Sequence, residues 1–359
     1  MFTDNSQIKH WLLPRPIDNE EIQDCPINIT LQKVLRRRGI NLEDELYEFL
    51  TPTELPNPED HFAELNKATE RIISACRRKE KIAICGDYDA DGMTSTVLLV
   101  ELLSQLGAKA ISYIPSRNDD GYGLNVKMIN DINIKEINLV ITVDNGISAF
   151  DAIDRSNKLG IDLIITDHHK ISNKNLDIFS LIHPEKSPIN SPYKYLAGVG
   201  IAYMLGKNIC KKLNYNIEES TANVLFCIGT VADMAPLLGA NRKWLKECLP
   251  KINLSNNRGI KGIMNKLIID DSDITADDIG YKIAPLINAV GRIGEPNLIV
   301  DLLTNKSKTQ TQKLVNKCFN LNIERKKMTA TIEKEAIEIA LNEYNINTKF
   351  FVISKRDWH

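Results

Sequence analysis

Three apolar runs of strand length, Lys81–Cys85, 137–142 and 161–165, each end in a polar cluster, and helical spacing fills much of the chain between them. A segment that alternates strand and helix closes into a parallel, doubly wound α/β sheet, because parallel neighbours need a crossover connection and a helix supplies it. Further strands are expected at Ala110–Ile114 and Phe179–Ile182, with helices at Thr94–Leu106, Val126–Asn130 and Ile147–Lys158. In an open sheet of this kind, ligands bind in the crevice outside the carboxyl ends of the strands. Gly86-Asp87-Tyr88-Asp89-Ala90-Asp91-Gly92, Val143-Asp144-Asn145-Gly146 and Thr166-Asp167-His168-His169 therefore converge on one place.

Read as an extended strand exit, the carboxylates of Asp87, Asp89 and Asp91 point to one side. Three anions that close repel by several kcal/mol unless a cation intervenes. An isolated acidic triplet reads equally well as a solvated turn; the two further clusters favour a shared metal site. Hard carboxylate oxygens with one or two imidazoles suit Mn²⁺ or Mg²⁺. Asp233 adds an acid inside the apolar helical run Ala222–Ala235, where a carboxylate is rarely buried unless paired or on a metal. Leu196-Ala197-Gly198-Val199-Gly200 reads as a helix start. Its glycines allow either approach to a phosphate or close packing on the sheet, and both readings stand. His183, after the last strand, reads as a local cap, and His10, His61 and His359 join no cluster.

The chain divides into a Pro-rich N-terminal cap (1–60, with helices near 30–38 and 42–50), a catalytic α/β domain (61–245) and a helical part of the same core (246–307). A long charged connecting helix (308–348), free of Pro and Gly through Tyr344, follows, and a strand at Lys349–Ser354 would open a further domain in 349–359. A net charge of -2 argues against a strongly basic nucleic-acid binder, while leaving room for a local basic groove. Seven cysteines without a CxxC pair read as reduced thiols of a cytoplasmic protein, and neither a membrane span nor a signal peptide is indicated.

Seven separated motifs carry a family resemblance: DYDADG at 87–92, Ser116-Arg117 before Gly121-Tyr122-Gly123-Leu124, VDNG at 143–146, DHH at 167–169, LAGVG at 196–200, GTVADMAPL at 229–237, and Asn288-Ala289-Val290-Gly291-Arg292. From about residue 60 onward the chain resembles the DHH phosphoesterase superfamily, in its branch of single-stranded-DNA-specific exonucleases. The resemblance implies a two-metal enzyme that hydrolyses single-stranded DNA 5′ to 3′ in recombination and repair, using Mn²⁺ or Mg²⁺. It places Asp89 on one ion, Asp91 and His168 on the other, Asp144 between them and Asp233 completing the shell, with Asp87 a further metal ligand. His169 would face the scissile phosphate and Asp167 would orient the histidines. Arg117, Asn288 and Arg292, with Gly198 and Gly200, would contact substrate. Single-stranded DNA is the implied partner of a monomer, with repair proteins and single-strand-binding protein beside it.

Two positions depart from the pattern: Leu286 stands where relatives frequently place Arg, and Cys85 where several place His. The family also continues into a glycine-rich domain that grips nucleic acid, whereas this sequence stops at Asp357-Trp358-His359, as a fragment would. Alternative readings are a phosphodiesterase acting on short oligonucleotides or cyclic dinucleotides, and a catalytically silent replication scaffold. A scaffold would lose acids from the first motif or the DHH, and here all are present.

Overall fold

The computed structural model describes residues 16–17, 27–40, 43–117, 121–172, 174–215, 219–270, 274–343, 350–356 and 358; His10 and His359 lie outside them. The chain forms two compact units, Met1–Glu54 and Leu55–His359. The first holds helices α1 (Ile29–Arg37) and α2 (Glu43–Leu50), with α1 started by the Asn28 side chain, which accepts from the Thr30 N–H.

The second unit opens with α3 (Leu65–Arg77) and then alternates β1 (Lys81–Cys85), α4 (Ala90–Gln105), β2 (Lys109–Tyr113), α5 (Val126–Ile134), β3 (Leu139–Val143), α6 (Phe150–Lys158), β4 (Asp162–Thr166) and β5 (Ser180–Ile182). All strand pairs are parallel, in the order β2-β1-β3-β4-β5. Strands buried on both faces read as continuous apolar runs, as Leu139–Val143 does, with all five residues buried. Alternate residues serve opposite faces. Ile82, Ile84, Leu139, Ile141 and Val143 join the core built with α3 and α4, while Ala83, Cys85, Val140, Leu163 and Ile165 pack with Met128, Ile129 and Ile132 of α5 and Ala152 and Ile153 of α6. The open edge at β5 is covered by α3: the Leu181 N–H donates to the Glu64 carboxylate, and Lys67 Nζ donates to the Phe179 carbonyl.

Helices follow the sheet: α7 (Gly198–Leu213), α8 (Glu219–Ala232), α9 (Gly239–Cys248), α10 (Arg258–Leu267), α11 (Ala276–Asp278), α12 (Ala284–Ile293), α13 (Asn297–Thr304) and α14 (Lys308–Glu343). A π-helical turn, Ile279–Ile283, joins α11 to α12 just before Pro285, which has no N–H to give. The 36 residues of α14 are more than a connector: Thr311, Val315, Cys318 and Asn322 are buried, and the helix packs on α10, α12 and α13. The described residues 350–356 form no strand, contrary to the expectation at Lys349–Ser354.

Candidate metal centre

From β1 the chain moves outward to β2 and then returns to form β3 on the other side, so the direction of winding switches between β1 and β3. The crevice at that switch lies outside the carboxyl ends of the strands. There the loop after β1 brings Asp87, Asp89 and Asp91, the turn after β3 brings Asp144, and the turn after β4 brings Asp167, His168 and His169.

The first cluster is not an extended exit. The Asp89 side chain accepts from the N–H groups of Asp91 (2.8 Å) and Gly92 (3.0 Å), capping α4, and Asp91 lies in the first helical turn. Helix donors that would otherwise lack partners are satisfied this way, so the chain turns four residues earlier than its apolar pattern suggests. Asp91 is fully buried and accepts from the N–H groups of Gly198 (2.7 Å) and Val199 (2.8 Å). The start of α7, where the sequence left phosphate approach and close packing both open, receives this carboxylate, which suits the positive end of the helix dipole. Close approach explains Gly198, because a Cβ there would stand 2.4 Å from the Asp144 Cβ; Gly200 packs on Leu196.

Asp144 has φ 62, a left-handed conformation that residues other than glycine adopt at a cost and mostly at functional sites. Its Oδ1 stands 2.8 Å from His168 Nε2, which is also 3.8 Å from Asp91 Oδ2; His168 Nδ1 is 3.9 Å from Asp233 Oδ2. Asp233 follows the end of α8 rather than lying within it, and Met234 beyond it is left-handed at φ 56. Despite the short approach, Asp144 Oδ1 and His168 Nε2 are buried without a hydrogen bond, as is Asp87 Oδ2. Among the described residues three groups bring donor atoms within 4.8 Å of one another: Asp87, Asp89 and Asp144; Asp91, His168 and Asp233; Asp144, His168 and His169.

Burial lifts the carboxyls of Asp87, Asp91 and Asp144 well above the usual range, and repulsion adds to it, led by Asp89, Asp233 and Asp91 respectively. Asp233 is raised to about 6 by burial and then by Asp89. His168 is lowered to about 4, by burial and then by His169, so its imidazole is neutral and able to ligate. Orphaned buried oxygens, clustered anions and a neutral imidazole together fit divalent cations.

His169 is held differently. Its Nδ1 lies 2.8 Å from Asp167 Oδ1, and this bond, ahead of the opposing burial, raises its pKa. Burial would lift Asp167, but the bonds from the His169 ring, the His169 N–H and the Ile147 N–H outweigh it and hold the carboxyl below its ordinary value. His183 Nδ1 accepts from the Glu185 N–H (3.1 Å), so its Nε2 donates to the His169 carbonyl (2.8 Å), the local role its position suggested.

Asn288 Oδ1 accepts from the Ala90 N–H (2.8 Å), fastening α12 to the start of α4. Gly291 lets the two come together, since a Cβ there would stand 1.6 Å from the Tyr88 carbonyl oxygen. Arg292 is exposed in the last turn of α12, and the Arg117 guanidinium lies over the Tyr88 ring, 5.4 Å from its centre. Leu286 and Cys85 are buried in the apolar cores. Two residues enter the site that sequence reasoning gave no role: Tyr122, whose hydroxyl meets Asp144 and His169, and Asn145, whose Nδ2 donates to the carbonyls of Cys85 and Val143, 3.0 Å each. Their place inside the GYGL and VDNG motifs was the available signal.

The family model for the DHH family, N-terminal domain, matches residues 81–230. The chain is 32% identical to the single-stranded-DNA-specific exonuclease RecJ of Bacillus subtilis, across 97% of this chain and 44% of that protein. Against RecJ of Escherichia coli it is 31% identical, across 92% of this chain and 59% of that one. It thus spans about half the length of these curated relatives. Among solved structures, exonuclease RecJ bound to manganese superposes with a TM-score of 0.70 at 29% identity, covering 79% of this chain and 70% of that one. Thermus thermophilus RecJ in complex with Mn²⁺ gives 0.71 at 27% identity, covering 84% of this chain and 42% of that one.

Proposed function

We propose a nuclease function for this chain, which carries the N-terminal domain of the DHH family and is homologous to the RecJ exonucleases over most of its length. The reaction is hydrolysis of phosphodiester bonds in single-stranded DNA from the 5′ end, dependent on Mn²⁺ or Mg²⁺; solved RecJ structures hold each of these ions. Its setting is the cytoplasm, in recombination and repair, beside repair proteins and single-strand-binding protein. The observation that carries the reading is the pair Asp144 and His168, each shared by two donor groups and each with a buried atom lacking a hydrogen bond.

In this reading Asp87 and Asp89 would hold one ion, Asp91, His168 and Asp233 would hold the other, and Asp144 would serve both. When bound, two such ions supply Lewis acidity and a nucleophile at neutral pH. The protein's own groups do the rest. Asp167 fixes the ring of His169, and that imidazole would contact the scissile phosphodiester and hold or give a proton there. Arg117 and Arg292 supply planar guanidiniums that match phosphate oxygens, and Asn288 holds the α12 end that presents Arg292.

Digestion of 5′-labelled and 3′-labelled single strands with Mn²⁺ tests the reading. Early release of labelled mononucleotide from the 5′-labelled strand is expected. Turnover confined to short oligonucleotides or cyclic dinucleotides would assign the site to the short-substrate class instead. Metal binding without any cleavage would leave a scaffold.

A further inference from the structure

Tyr122 belongs to none of the donor groups, yet its hydroxyl stands 3.2 Å from the Asp144 carbonyl oxygen and 3.3 Å from His169 Nε2. A carbonyl and a carboxylate only accept, so the hydroxyl gives its single proton toward Asp144, with the Asp87 carboxylate as a second acceptor beside it, and offers His169 a lone pair. The opposite ring nitrogen of His169, Nδ1, faces Asp167 at 2.8 Å. The imidazole is thus held on both edges, by a carboxylate on one and a phenol oxygen on the other.

The loop that delivers Tyr122 is itself fastened. The Leu124 N–H donates to Asn145 Oδ1 (3.0 Å), and Gly123, at φ 65, lets the backbone double back so that residues 122 and 124 both meet the turn after β3. The plane of the Tyr122 ring is set by edge contacts with Tyr88 (5.8 Å between centres, 86° between planes) and with His169 (5.9 Å, 79°).

We infer that Tyr122 is a positioning residue whose hydroxyl ties the backbone of the shared ligand Asp144 to the ring of His169, setting where that imidazole stands over the scissile phosphodiester. The inference rests on the role proposed above for His169. An imidazole anchored on one edge alone can swing, and small misplacements of a reacting group are costly in rate.

Tyr122→Phe keeps the ring and its edge contacts and removes only the hydroxyl. At saturating Mn²⁺ the expected result is a kcat about ten- to a hundredfold lower, with KM and the Mn²⁺ titration midpoint unchanged. In metal-free protein carrying ¹⁵N-labelled histidine, the ring-nitrogen signals of His169 should move while those of His183 stay. This arm needs no turnover, so an inactive wild-type chain would refute the nuclease reading while the spectrum still reports the Tyr122 contact. An unmoved His169 signal overturns the inference whatever the activity. So does a wild-type kcat, and so does a raised KM at constant kcat, which would make Tyr122 a substrate contact. Weakened Mn²⁺ binding overturns it as well, by placing the effect on the ligands Asp144 and Asp87 that the hydroxyl also meets.

Discussion

Asp144 meets two demands: its side chain joins two donor groups, and its backbone occupies a left-handed conformation. Asp144→Asn keeps the shape and removes the charge, so hydrolysis should fall on the order of 100-fold or more while circular dichroism stays native. Unchanged rates at saturating Mn²⁺ would remove Asp144 from the reaction. Asp233, raised to about 6 by burial and Asp89, gives a pH prediction for the metal-free protein. A carboxyl whose folded pKa is raised binds protons more readily in the folded state, so its contribution is full below the unfolded value and is lost as pH rises through the folded one. Melting temperature in chelator should therefore fall between about pH 4 and 6, and scanning calorimetry across that window reads it; a flat profile would contradict the burial of Asp233. Asp144 and His168 were legible in the sequence because each follows an apolar run, and Asp233 because it stood as an acid within one. Tyr122 had only its place in the GYGL motif as a signal, because a hydroxyl meeting a backbone carbonyl leaves no period or spacing of its own to read.

At the scale of elements, all five strands were legible to within two residues at their starts and ends, since buried parallel strands are continuously apolar. The start of α4 was misplaced for a physical reason: an Asp at a helix cap and an Asp in a metal motif are the same residue type, and Asp89 is both a cap and a donor. Likewise Gly198 suited either a phosphate or close packing, and the close approach to Asp144 could not be read from the sequence. The contact between α12 and the loop after β1 yields a test. Gly291→Ala would press a methyl against the Tyr88 carbonyl, and overpacking of this kind typically costs about 1–3 kcal/mol. Urea unfolding should show that loss, and a wild-type midpoint would mean that α12 can move away freely.

For the molecule as a whole, clustered anions make the crevice the place where cations stabilise the fold. Mn²⁺ at about 100 times its dissociation constant should add about 2.7 kcal/mol per site, seen as a rise in melting temperature; no rise with bound metal would mean equal affinity for the unfolded chain. The net charge of -2 goes with few phosphate contacts, and those proposed are chiefly Arg117 and Arg292. Single-strand binding measured in chelator should weaken with salt at a slope of only about -1.4 for two contacts, and a much steeper slope would reveal a basic track elsewhere. The long helix was legible from its lack of Pro and Gly, but its packing was not, because four buried residues in 36 barely disturb a charged pattern. The clasp between Asp91 and the amides of Gly198 and Val199 also keeps time. Those two protons can exchange with solvent deuterium only when α7 lifts from the carboxylate, so their exchange rates count how often the heart of the site opens.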